Sequence, residues 1–172
     1  MKIGLFILAV LAVAILVIVA IGALLPKKHA ATRTVIIQAP PVQVFRLISG
    51  PQDWRSDLKE YKFFDEGGRH MVRETDTHEQ TITYEILQSQ PPVMLKRTIA
   101  DKNLAFGGSW TWTIRPLSEA ACEVTITEDG EVYNPVFRFV SRFIMGYTKS
   151  IDNYLAMLAA AAKPNRAVAA SR

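Results

Sequence analysis

The sequence predicts an α+β protein: one antiparallel sheet of about six or seven short strands, a long C-terminal helix, and an apolar helix ahead of both. Three observations carry this. From Ile3 to Leu25 every residue is Ala, Val, Ile, Leu, Phe or Gly. From Tyr61 to Val132, short runs alternating apolar and polar residues recur between turn signals. From 134 to 162, apolar residues return at steps of three and four, the period of one helix face.

The N-terminal run has the length a helix needs to cross the hydrocarbon layer, about 20 residues. Lys2 precedes it, and Pro26, Lys27, Lys28 and His29 follow. The apolar part of a cleaved signal peptide is normally about 7 to 15 residues. Length therefore reads as a retained single-pass membrane anchor, while Ala20-Ile21-Gly22 supplies a small-x-small site where cleavage would fit. Lys27, Lys28 and Arg33 lean the globular part toward the cytoplasm; a signal anchor gives the reverse, and both orientations stay open. The organisation expected is a membrane segment with a basic flank over residues 1–29, a domain over 30–163, and a tail over 164–172.

The formal charge of +4 belongs to the membrane flank. The 20 Lys and Arg, less Lys2, Lys27 and Lys28, leave 17 against 16 Asp and Glu. A nearly neutral domain gives no sequence-wide case for nucleic-acid binding, and the flanking lysines suit anionic head groups. Cys122 is the one cysteine, in phase with Val124 and Ile126, so it reads as a buried, inert thiol. No disulfide or thiolate zinc site can form within the chain. His29, His70 and His78 are scattered without metal spacing, so no metal is expected. "GGRH" and "FGGSW" lack the strand-glycine-helix setting of a phosphate loop, and no cofactor is expected.

"TRTVIIQA" reads as the first strand. "PPVQVFRLISGP" follows as a short helix, with proline in its first turn, a stripe of Val44, Phe45 and Ile48, and a stop at Gly50-Pro51. "PQDWRSDL" predicts a second short helix in a new direction. Strands come next in "YKFFDEGGR", "HMVRETD", "HEQTITYEILQ", "VMLKRTIAD", "GGSWTWTIRP" and "ACEVTITEDGEV". In the last helix Asn134 is the expected N-cap and Pro135 the first residue; Phe137, Val140, Ile144, Tyr147, Ile151, Leu155 and Leu158 form the stripe, and Gly146 is a point of weakness.

In this order, "IIQAPPVQVFRLISGPQDW" near the start and "TEDGEVYNPVFRFVSRFIMGYTKSIDNYLAML" at the end resemble the SRPBCC superfamily, the START-like, polyketide cyclase/dehydrase-like group. The resemblance runs from about Thr32 to Ala162 and rests on Ala39-Pro40-Pro41, Trp54, Gly107-Gly108-x-Trp110, and Glu128 leading to Asn134-Pro135. It implies a helix-grip fold, in which a curved sheet wraps the long C-terminal helix around a cavity for apolar ligands. None of these residues is a catalytic signature.

Trp110, Trp112 and Ile114 share one strand face. With the resemblance, that face looks toward the space between sheet and helix, where the indoles either fill a core or line a ligand cavity. Arg97 is in phase with Val93, Leu95 and Ile99, and Glu128 with Cys122, Val124 and Ile126. If those faces point inward, the two charges must pair or sit at a wet cavity mouth; the alternative is that a twist or bulge turns both to water. Tyr84 and Tyr147 could each supply a hydroxyl to such a cavity, or sit satisfied in a core. The candidate ligand-binding set is Trp110, Trp112, Arg97, Glu128, Tyr84, Phe137, Ile144 and Tyr147. The function expected is a membrane-anchored domain that holds a hydrophobic small molecule or lipid. A cyclase- or aromatase-like enzyme acting on an apolar substrate, and a protein-interaction module of a membrane complex, are the alternatives.

Overall fold

The computed structural model describes residues 2–163; the tail expected over 164–172 lies outside the described residues. Helix α1 (Lys2–Leu24) is long and apolar enough to cross a membrane. It leads into β1 (Lys28–Ile37) and α2 (Pro41–Ser49). The strands β2 (Leu58–Glu66), β3 (Arg69–Asp76), β4 (Thr81–Gln90), β5 (Met94–Ile99), β6 (Phe106–Ser118) and β7 (Ala121–Val132) follow. The last described elements are α3 (Pro135–Val140), a π-helical turn (Ser141–Met145) and α4 (Lys149–Ala161).

The seven strands form one antiparallel sheet in the order β1-β7-β6-β5-β4-β3-β2. Every neighbour pair is a sequential hairpin except β1 beside β7, which brings the two ends of the domain together. The β2–β3 turn is Gly67-Gly68, both at positive φ, as a two-residue hairpin requires. Register shifts at Leu58/Glu60, Ile86/Gln88 and Pro116/Ser118 put local bends into the strands.

The apolar core lies between one half of this sheet and two helices. Val44, Phe45 and Ile48 of α2 and Ile151, Leu155 and Leu158 of α4 pack with Leu95, Ile114, Cys122, Val124 and Ile126. The stripe read in α2 is the buried face, because three apolar residues at helical spacing must face the one apolar surface at hand.

Two expected helical details differ. Residues 51–57 form turns, so one short helix follows β1 and not two. Side chains there take backbone carbonyls instead: Gln52 Nε2 donates to Ile48 O (3.0 Å) and Trp54 Nε1 to Leu47 O (3.1 Å). The long C-terminal helix is also divided. Asn134 caps α3 as expected, its Oδ1 accepting from Val136 N and Phe137 N. The helix then widens, Gly146 N donating to Ser141 O (3.0 Å), and stops at Gly146 with φ 75° and ψ 157°. That backbone region is open to glycine alone. The expected stripe is therefore cut in two: Ile151, Leu155 and Leu158 are buried, while Phe137 and Ile144 are 53% and 72% exposed.

Candidate functional site

Strand pairing places three of the candidate residues in one cross-strand row. Ala31 of β1 pairs with Glu128 of β7, Glu128 with Trp110 of β6, Trp110 with Arg97 of β5, and Arg97 with Ile86 of β4. Directly paired residues share a sheet face, so this row runs across the side that carries the helices. The next row holds Ile126, Trp112 and Leu95.

Both indoles pack on α4. Tyr154 of α4 meets Trp110 edge-on at 5.9 Å between ring centres and Trp112 at 5.7 Å, and the indoles lie 5.6 Å apart. Trp54 closes on the other side of Tyr154 at 5.5 Å. Trp112 is buried and Trp110 half-buried. The space between the tryptophans and the last helix is thus filled largely by Tyr154.

Beside this aromatic group sits a charged one. Arg97, 2% exposed, donates through Nη2 to Ile48 O (2.7 Å) and faces Glu74 Oε1 through Nη1 (3.6 Å). Glu74 Oε2 accepts from Arg55 Nη1 at 2.9 Å. Arg55 also grips Asp57 with two hydrogen bonds, 3.1 and 2.7 Å, and donates to Gln52 Oε1 at 3.0 Å. Both oxygens of Glu74 are therefore engaged by guanidinium groups, the arrangement that makes buried charge tolerable. Burial works against the charges on Arg55 and Asp57. Their mutual bond outweighs it, with Glu74 aiding Arg55, so the Arg55 pKa is raised and the Asp57 carboxyl is held below its usual range.

Three buried polar atoms around Arg97 lack a well-formed protein hydrogen bond: Tyr61 Oη, Arg97 Nε and Trp112 Nε1, although the Arg97 guanidinium is near enough to the Tyr61 hydroxyl to oppose part of the effect of its burial. The Arg97 guanidinium carbon lies 5.8 Å from the Tyr61 ring centre and 5.5 Å from that of Trp112, so the three belong to one neighbourhood. All three can donate. Burial pushes the Tyr61 phenol up to about 12, and pushes those of Tyr84 and Tyr154 upward as well, so each stays a neutral hydroxyl. Next to this cluster a hollow of about 150 Å³ is lined by Arg55, Leu58, Glu74, Ile82 and Tyr84 among others. Beyond it the paired row Phe63, Val72, Tyr84 and Ile99 continues the same face. Phe63 at the end of that row is 43% exposed. A second hollow, about 260 Å³, opens between β1 and α4 at Arg33, Val35, Asp152 and Leu155.

Glu128 and Tyr147 belong elsewhere. Glu128 Oε1 is 3.2 Å from His29 Nε2, and the His29 ring stacks on Tyr147 at 4.0 Å. Arg97 and Glu128 both point to the helix side, with Trp110 between them in the row. Yet Arg97 meets Glu74, and Glu128 meets His29 through Oε1 alone, its Oε2 being buried without a hydrogen-bond partner. Of the remaining candidates, Tyr84 lines the smaller hollow, while Phe137 and Ile144 stand outside on α3 and the π turn. Cys122 is buried and free, and burial pushes its thiol up. Among the described residues no group of His, Cys, Asp and Glu is arranged to hold a metal.

Sequence reasoning missed Glu74, Arg55, Tyr61 and Tyr154. Glu74 carried a signal, being two residues from Val72 in "HMVRETD", the same in-phase charge that marked Arg97. Tyr154 carried one too, at i+3 from Ile151 and i−4 from Leu158. Arg55 lies in turns and Tyr61 in a run with apolar residues on both faces, and neither had one.

Residues 28–163 match the family described as polyketide cyclase / dehydrase and lipid transport. The chain belongs to this family. No curated protein sequence matches it. Among solved structures the fold is shared with norcoclaurine synthase from Thalictrum flavum in complex with dopamine and hydroxybenzaldehyde (11% identity, 77% of this chain and 85% of that one, TM-score 0.58). It is shared with the Zhui aromatase/cyclase from a Streptomyces species (14% identity, 78% and 93%, TM-score 0.60). A START superfamily protein from Mycobacterium smegmatis is similar to the same extent (14% identity, 78% and 97%, TM-score 0.59). At these identities the likeness is one of fold, and function must be argued from the site.

Proposed function

We propose that this family member is a membrane-anchored binding domain for an apolar small molecule or lipid that carries one oxygen acceptor. The observation that carries the reading is the trio of buried donors on Tyr61, Arg97 and Trp112 that lack a well-formed protein hydrogen bond. A buried donor without an acceptor costs on the order of 1–3 kcal/mol, so a ligand carbonyl, hydroxyl or carboxylate oxygen placed there gains what the free protein forgoes. Helix α1 keeps the domain beside the phase in which such molecules dissolve.

The packing limits the ligand. Pockets that enclose drug-sized molecules hold roughly 300–1,000 Å³; the hollow here is about 150 Å³. The ligand enters by the hollow, whose lining does not include the three donors. Its oxygen reaches past Glu74 and Tyr84 to them, and its apolar remainder lies along the partly exposed Phe63, Ile82 and Ile99. Binding fits the groups better than catalysis does: Glu74 is held between two arginines, and the neutral phenols are poor bases. The filled space between the indoles and α4 favours a second reading, a protein-interaction module with no small ligand.

Native mass spectrometry of the full-length protein, extracted in mild detergent, separates the two. The expected result is a co-purifying apolar compound whose retention falls about two- to tenfold in Tyr61→Phe, the worth of one hydrogen bond. Because that change removes an unsatisfied hydroxyl and keeps the ring, thermal stability should hold or rise slightly. Unaltered retention in Tyr61→Phe removes the donor trio from the site. A protein that is ligand-free from every preparation favours the interaction module.

A further inference from the structure

The half of the C-terminal segment that leaves the core does not leave the protein. Gly22 in the last turn of α1 lies against Pro135 of α3, so closely that a Cβ at Gly22 would overlap the Pro135 carbonyl. Arg138 of α3, 6% exposed, donates through Nη1 to Ala23 O (3.3 Å) and Leu25 O (2.8 Å), the carbonyls that the end of α1 leaves without helical partners. The buried Arg138 thus has its partners just beyond Gly22. Cleavage after Ala20-Ile21-Gly22 would remove the Gly22–Pro135 contact, while Ala23 and Leu25, whose carbonyls Arg138 bonds, would stay with the domain.

The 23 residues of α1 rise about 35 Å at 1.5 Å each, slightly more than the roughly 30 Å of hydrocarbon in a bilayer. Its last turn therefore stands at the boundary with the head groups, and α3 is packed against that turn. From here Phe137 (53% exposed), Phe143 (59%), Ile144 (72%) and Met145 (59%) present an apolar patch. The widened turn and Gly146 project the last three of these away from the domain, and Phe143 rests on Phe139 at 5.0 Å. Arg142 and Lys149, both exposed, flank the patch, and Lys27 and Lys28 follow the end of α1. Apolar side chains with basic neighbours are the makeup of a segment lying in the membrane interface.

We infer that α3 and the π turn dock on the bilayer surface beside α1, a second membrane contact that fixes how the domain sits over the lipid. This rests on α1 being a retained membrane span. The test uses the full chain in phosphatidylcholine–phosphatidylglycerol vesicles, in a Cys122→Ala background, with an environment-sensitive fluorophore at one of three sites. Ile144→Cys reports the patch, Leu11→Cys the middle of α1, and Leu117→Cys the far end of the sheet by the β6–β7 turn. With lipids bearing a nitroxide near the head group, Ile144 should be quenched several-fold more than Leu117. Quenching at Leu11 with none at Ile144 overturns the surface contact and leaves the anchor standing. Leu11 is read with lipids bearing the nitroxide at the end of the acyl chain, and quenching at neither site, each with its own lipid, overturns both. An Ile144 label that is shielded from aqueous iodide but untouched by lipid nitroxide overturns bilayer docking in favour of a protein partner.

Discussion

The two halves of the segment from Asn134 to Ala162 carry one continuous apolar pattern and meet opposite fates. In α4, Ile151, Tyr154, Leu155 and Leu158 are buried against the sheet and α2. In α3 and the π turn, Phe137, Phe143, Ile144 and Met145 face outward beside the end of α1. An apolar stripe states that a face must be covered and says nothing of what covers it. Here one half is covered by the protein's own core, and the other faces outward beside the end of α1.

The contrast is broken most strongly by truncating one residue on each side. Leu158→Ala, at a fully buried position, should cost about 2–5 kcal/mol, whereas Ile144→Ala should stay within about 0.5 kcal/mol, both read from denaturant or thermal unfolding in detergent. Similar losses at the two sites would mean that the π turn folds back onto the core. The junction comes next. Gly146→Ala forces a side chain into a backbone region that glycine alone tolerates, so stability should fall by about 1–3 kcal/mol. A neutral result would show that the break between the halves is not held at that residue.

The smallest effect near neutral pH, and one that grows on the alkaline side, comes from the phenols. Tyr61, Tyr84 and Tyr154 have folded pKa values raised by burial above the ordinary 10, that of Tyr61 to about 12. Below pH 10 the phenols are neutral in both states and contribute no pH dependence. Above it the unfolded chain ionises first, so stability falls as pH rises through 10 toward 12. Tyrosinate absorbance should show these three ionising together with unfolding. Early titration of Tyr154 in the native protein, isolated by Tyr154→Phe, would mean that α4 packs more loosely than its half of the segment implies.

Much of the fold was legible because each element announced itself locally. The Gly67-Gly68 hairpin, the stripe of α2, the Asn134 cap and the alternation in β5, β6 and β7 all depend on neighbours within a few residues. The site was legible only in part. Arg97 was readable as a charge in phase with apolar residues, and so was Glu74 by the same rule. That Glu74 sits between Arg97 and Arg55, and that Glu128 turns to His29, depends on pairings across β3, β5, β7 and a turn, which leave no mark at any fixed spacing.

The sequence by itself determined the class of the molecule: an apolar helix of membrane-spanning length, an antiparallel sheet, and a capped amphipathic segment behind it. Periodicity is a local property, and the backbone obeys it wherever the chain goes. Only the tertiary structure decided that β1 returns beside β7. That pairing sets the end of α1 against Pro135 and Arg138, and the widened turn sends half of the last stripe outward. Those outcomes follow from which surfaces meet, and the free energy of covering an apolar face is non-directional, so no pattern along the chain specifies its partner.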